Sequence, residues 1–149
     1  MHRNTRWAVV AAIATAAVAP AAPAAAAAPQ SYCFAKQAVA AGSWVGTYAE
    51  TGADGSCDPT GGARMESQLT SQPRQTGNVL HITIVWRFYE SDGDLLFETE
   101  QAGILRLGDG DVVLNGVVTA GERLGARTHD VGHATDAVGS YAGVMRVMG

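Results

Sequence analysis

VLHITIVWRFYESDGDLLFETEQAGILRLGDGDVVLNGVVT, residues 79–119, decides the fold. Its apolar runs are cut at Ser91-Asp92-Gly93-Asp94 and again at Gly108-Asp109-Gly110-Asp111, leaving no room for a helix between them. Leu80, Ile82, Ile84, Trp86 and Phe88 alternate with His81, Thr83, Val85, Arg87 and Tyr89. One face of that strand is therefore interior and the other amphipathic, and its β-branched and aromatic content suits a pleated surface. Asp92-Gly93 turns the chain into a second strand, in which Gly103 reads as a bulge or barrel corner ahead of residues 104–107. A second aspartate-glycine turn leads into residues 112–119. Strand, turn and strand at this spacing read as an antiparallel meander closing into a small barrel.

Upstream, residues 44–48 form a first strand, residues 51–62 a polar loop holding Cys57, and residues 63–70 a half-buried strand with Ala63, Met65, Ser67 and Leu69 on one face. Residues 30–42 are small and mildly apolar, and read as an N-terminal arm tied down by Cys33. Downstream, residues 140–148 supply the last strand. Residues 119–139 lack sustained periodicity apart from a short strand near 124–128, so they are either a lid or a plain surface connection. The count is seven or eight strands: an all-β chain forming a closed antiparallel β-barrel.

Arg3 and Arg6, an uncharged apolar run over residues 7–19 and an alanine tract to residue 28 make a secretory signal peptide, with cleavage placed in residues 24–28. The organisation expected is residues 1–28 as signal and residues 29–149 as one barrel domain, secreted and free of the membrane once cleaved. Without Arg3 and Arg6, eight basic residues face fourteen acidic ones, and 8 − 14 gives a formal charge of −6. That charge, with the basic residues scattered singly, disfavours nucleic acid or an anionic membrane as partner. Cys33 and Cys57 are the only cysteines, and in an exported chain they most simply pair with each other.

Phe88 with Asp92-Gly93-Asp94-Leu95, the Leu114-Asn115-Gly116 strand and the closing Gly139-Ser140-Tyr141-Ala142-Gly143 resemble the bacterial allene oxide cyclase barrel-like proteins, relatives in fold of plant allene oxide cyclases and of dirigent proteins. The resemblance covers residues 44–148. It implies an eight-stranded, calycin-like antiparallel barrel with a ligand cavity, acting without a cofactor as a cyclase or isomerase that folds a polyene or polyketide-like substrate for ring closure. Dirigent proteins steer radical coupling, and the Gly93-Asp94 pair resembles an acidic position in them. The export signal is a departure from the intracellular cyclases of this group.

A lumen for an apolar ligand needs an aromatic lining with a few placed polar groups. Trp44, Tyr48, Trp86, Phe88, Phe97, Tyr141 and Met148 could supply that lining, or could simply fill the barrel. Glu50 ends the first strand of this reading and Arg146 sits on the last, and first and last strands are neighbours in a closed barrel, so the two are the catalytic candidates if they face the lumen, and two solvated charges if they do not. His129, His133, Asp130 and Asp136 lie close in sequence, but Gly132 argues against the helix that would let two imidazoles share a metal, and they read as loop residues. The aspartate-glycine segments lack an EF-hand's spacing and read as hairpin turns. No metal, cofactor, nucleophile elbow or phosphate loop is expected. The expected partner is a small apolar molecule, with homo-oligomerisation through outer-face residues such as Val85 and Tyr89 left open. The alternative is a non-enzymatic secreted barrel that binds a ligand or another protein.

Overall fold

A computed structural model describes residues 19–20, 26–136 and 139–149. The signal segment expected over residues 1–28 lies largely outside the described residues. The described chain holds nine strands: β1 (Gln30–Ala40), β2 (Ser43–Glu50), β3 (Ala63–Leu69), β4 (Arg74–Thr76), β5 (Val79–Tyr89), β6 (Leu95–Arg106), β7 (Asp111–Gly121), β8 (Arg127–Ala134) and β9 (Tyr141–Met148). They form one antiparallel sheet in the order β3-β2-β1-β9-β8-β7-β6-β5, closed by pairing of β3 with β5. The fold is a closed eight-stranded barrel with β4 outside the ring.

The two aspartate-glycine segments are hairpin turns. Gly93 and Gly110 take φ of 95° and 78°, which glycine adopts without a side-chain clash. The Asp92 and Asp109 carboxylates each accept from a backbone N–H two residues on, at 3.0 and 3.1 Å, so their oxygens close the turns.

Three sequence expectations need correction. Residues 30–42 are not an arm: β1 pairs with β2 on one side and with β9 on the other, in the middle of the barrel wall. Its inward set is Tyr32, Phe34 and Lys36, and Cys33 faces outward to bond Cys57 in the loop after β2. The segment holding His129 and His133 is strand β8, hydrogen-bonded to β7 and β9 throughout, with Thr128, Asp130 and Gly132 inward. Gly103 does not break a strand; β6 is continuous through it, pairing it with Ile82 and Leu114. A Cβ there would fall 2.0 Å from the Val113 carbonyl oxygen, so the glycine permits close approach of β7 without interrupting the ladder.

The strands run alternately up and down, which gives the barrel two different ends. One carries the turns around residues 41–42, 70–78, 107–110 and 135–140; the other carries residues 51–62, 90–94 and 122–126. The second end is sealed by aromatic rings. Phe88 and Phe97 stack with centroids 4.6 Å apart, Tyr48 meets Phe88 edge-on at 4.9 Å, and Tyr32 fills the remaining side against Phe97 at 5.6 Å. The Tyr48 hydroxyl donates to the Tyr89 carbonyl at 2.8 Å, so the plug has no stranded hydroxyl at that point. The Cys33–Cys57 disulfide lies toward this same end and pins the long loop to the wall.

Candidate functional site

Toward the first end the lumen stays open as a cavity of about 230 Å³. Phe34, Trp44, Trp86 and Tyr141 form its aromatic walls, and Leu80, Ile82, Leu105 and Pro73 line it toward the rim. The rim residues are only half-buried, whereas Trp86 and Phe34 below them are 1% and 2% exposed. The Trp44 indole N–H donates to the Gly139 carbonyl at 3.0 Å, fixing one wall to the β8–β9 connection.

An amine and a carboxyl stand in this apolar lining: Lys36 on β1 and Asp130 on β8. Strand alternation puts them there, since Lys36 follows Tyr32 and Phe34 on the inward face and Asp130 follows Thr128. Lys36 Nζ donates to Ser67 Oγ at 3.0 Å and lies 3.6 Å from the centroid of the Trp86 ring, with Trp44 at 5.0 Å. An ammonium in that position is held by the electron-rich faces of the indoles. Asp130 is 1% exposed, and neither of its carboxyl oxygens has a hydrogen-bond partner among the described residues. The Trp86 indole N–H is also buried without one.

Burial pushes the Lys36 ammonium well below its ordinary range, and the nearby Asp130 charge offsets only part of that. Burial likewise pushes the Asp130 carboxyl far up, with Lys36 pulling it part of the way back. Their proton affinities are thus moved toward each other, which makes an uncharged amine and an uncharged acid accessible near neutral pH. A buried polar group without a partner costs about 1–3 kcal/mol, so retaining Asp130 opposite an amine in an otherwise apolar cavity needs a compensating use.

Of the seven aromatic and apolar residues expected to line the lumen, Trp44, Trp86 and Tyr141 line the cavity. Tyr48, Phe88 and Phe97 belong to the plug at the sealed end. Met148 lies on the outward-facing set of β9, beside inward Val147. Glu50 and Arg146 do not meet in the lumen, because β1 lies between β2 and β9. Glu50 is exposed at the barrel's end, accepting from Gln30 Nε2 at 3.1 Å, and Arg146 is exposed on the outer wall, paired in register with His129 and Ser31. His129 and His133 also face outward, about 13 Å apart along the strand. They hydrogen-bond instead to β7, His129 to Asn115 at 2.8 Å and His133 to Asp111 at 2.7 Å.

The residues that sequence reasoning missed carried a signal. Lys36 is the single lysine of the chain, against nine arginines. The nine guanidiniums cannot shed their protons at ordinary pH, and the one side-chain amine is placed inside. Asp130 was masked by its neighbours, since the glycine and the two histidines around it suggest a loop until its pairing with β7 and β9 is known. Neither a family model nor a curated protein nor a solved structure matches the chain.

Proposed function

We propose that this chain is an exported, cofactor-independent isomerase or cyclase of the allene oxide cyclase-like kind, acting on a compact, largely apolar molecule that carries one carbonyl group. The observation that carries the reading is Asp130: a buried carboxyl with no hydrogen-bond partner among the described residues, on the wall of an aromatic cavity that also holds the only lysine. As a carboxylate, Asp130 accepts a proton from the carbon beside the substrate carbonyl, and as the resulting acid it returns that proton to the far carbon of the migrating double bond. The aromatic walls restrict the substrate's conformations, which removes entropy from the barrier to ring closure or double-bond migration. The cavity is smaller than the several hundred Å³ usual for ligand pockets, which favours a compact reacting core with any longer chain projecting through the rim. The disulfide and the basic, apolar N-terminal sequence support export.

The test uses cyclohex-3-enone, a compact β,γ-unsaturated ketone whose conversion to the conjugated isomer is followed by ultraviolet absorbance. Wild type is expected to bind and convert it, and Asp130→Asn to bind it with turnover lowered roughly 10²–10⁴-fold. Equal rates for the two proteins would remove Asp130 from the chemistry. Binding without turnover in either would favour the non-enzymatic carrier.

A further inference from the structure

We infer that Lys36 is a nucleophile that condenses with an aldehyde or ketone in the lumen, so that the bound molecule is held as an imine. This rests on the lumenal reading above and names the bond by which the ligand is kept. Four observations converge on it. The amine is the chain's only lysine, it is 8% exposed, it lines a cavity, and the same cavity presents a carboxyl whose two oxygens are unpartnered. Lys36 Nζ is held by Ser67 and the Trp86 face, and no hydrogen bond joins it to Asp130, so the carboxyl remains available to a third group in the cavity.

The chemistry balances without a co-reactant. The uncharged amine attacks the carbonyl carbon, the carbon–nitrogen bond forms, and the proton leaving nitrogen ends on oxygen, giving a carbinolamine. Asp130 as the acid protonates that hydroxyl, water departs, and the carbon–nitrogen double bond forms, the iminium proton returning to the carboxylate. The net change is one carbonyl and one amine giving one imine and one water. Burial favours the uncharged amine on which the attack depends, since an ammonium has no lone pair. Ser67 Oγ, 3.0 Å from Nζ, positions the amine. The imine would in turn acidify the neighbouring carbon, which connects it to proton transfer by Asp130.

The single lysine makes the test direct. The mature protein is incubated near neutral pH with hexanal and sodium cyanoborohydride, and modified sites are located by peptide mass spectrometry. Hexan-1-ol, equally apolar but unable to condense, serves as competitor, and quenching of tryptophan fluorescence reports binding of either probe. The expected result is a reduced hexyl adduct on Lys36 that excess hexanol suppresses, while labelling of the chain's α-amine is unaffected by hexanol. Lys36→Arg, which keeps a cation but no nucleophilic amine, is expected to bind hexanol and lose the internal adduct. If both probes bind and Lys36 remains unmodified, the imine is overturned and the lumenal reading stands. If neither probe binds, both fall together.

Discussion

Replacing Lys36 and Asp130 together should make the protein more stable and leave it unable to hold its ligand. In Lys36→Met the replacement keeps an unbranched apolar side chain along the same path, and in Asp130→Leu the added volume has the adjoining cavity of about 230 Å³ to enter. Against the double variant stand three losses. The Nζ–Ser67 hydrogen bond is worth about 1 kcal/mol, the indole contact about 2 kcal/mol when desolvated, and the Ser67 hydroxyl loses its partner. In its favour stands the penalty of keeping two ionisable groups out of water, several kcal/mol for each if charged. Exchanging buried, oppositely ionisable groups for apolar side chains is often neutral or gains about 1–4 kcal/mol, and for a domain of this size each kcal/mol raises Tm by roughly 3–5 °C. Either single variant leaves its neighbour buried without the opposite charge and should lie below the double. Urea unfolding of the four proteins, read as a double-mutant cycle, measures each term. A double variant less stable than wild type by more than about 1 kcal/mol would refute the reasoning, since it would make the pair part of the scaffold and not a group retained at the scaffold's expense.

Four further outcomes follow from the same geometry. Burial raises Asp130 and lowers Lys36; a raised acid loses its stabilising contribution as pH rises from about 4 toward neutrality, and a lowered amine regains its own only as pH rises toward about 10. Unfolding free energy of wild type minus that of the double variant should therefore pass through a minimum near neutral pH, and a monotonic difference would contradict both shifts. Gly132 lines the cavity, and a Cβ there would meet only ordinary contacts, the nearest being the Ala142 carbonyl oxygen at 3.4 Å, so Gly132→Val should fold and lose hexanol quenching. Gly143→Ala would place its Cβ 2.3 Å from the Val131 oxygen and 2.6 Å from the Gly132 Cα of the paired strand, and should lose about 1–3 kcal/mol in the same urea assay. Removing both cysteines should cost about 3 kcal/mol, measured by thermal unfolding, with hexanol binding retained because the bridge lies toward the sealed end.

The barrel was legible because its strongest strand, β5, alternates without a fault and its turns are written in aspartate-glycine pairs. Where the alternation was carried by small residues it failed: Ala35, Ala38 and Ala40 of β1 carry too little hydrophobicity to reveal a period of two. That one omission displaced the site. With β1 absent, Glu50 and Arg146 became neighbours and Lys36 became an arm residue, although its parity with Tyr32 and Phe34 places it inside. β8 failed for the opposite reason, because its inward positions are Thr128, Asp130 and Gly132, a set that no hydrophobic pattern marks. An interior built to hold polar groups is the least visible to a reading that looks for apolar periodicity.

The aromatic plug of Tyr32, Tyr48, Phe88 and Phe97 has a kinetic consequence. A tube with one stopper has one doorway, so whatever enters must back out along the path by which the next molecule arrives. Traffic through it is single-file, and departure of the first occupant limits admission of the second. Under the proposed isomerase function, a product retaining the substrate's apolar body should then compete with it for the empty tube, and crowding the solution with substrate would not hasten release.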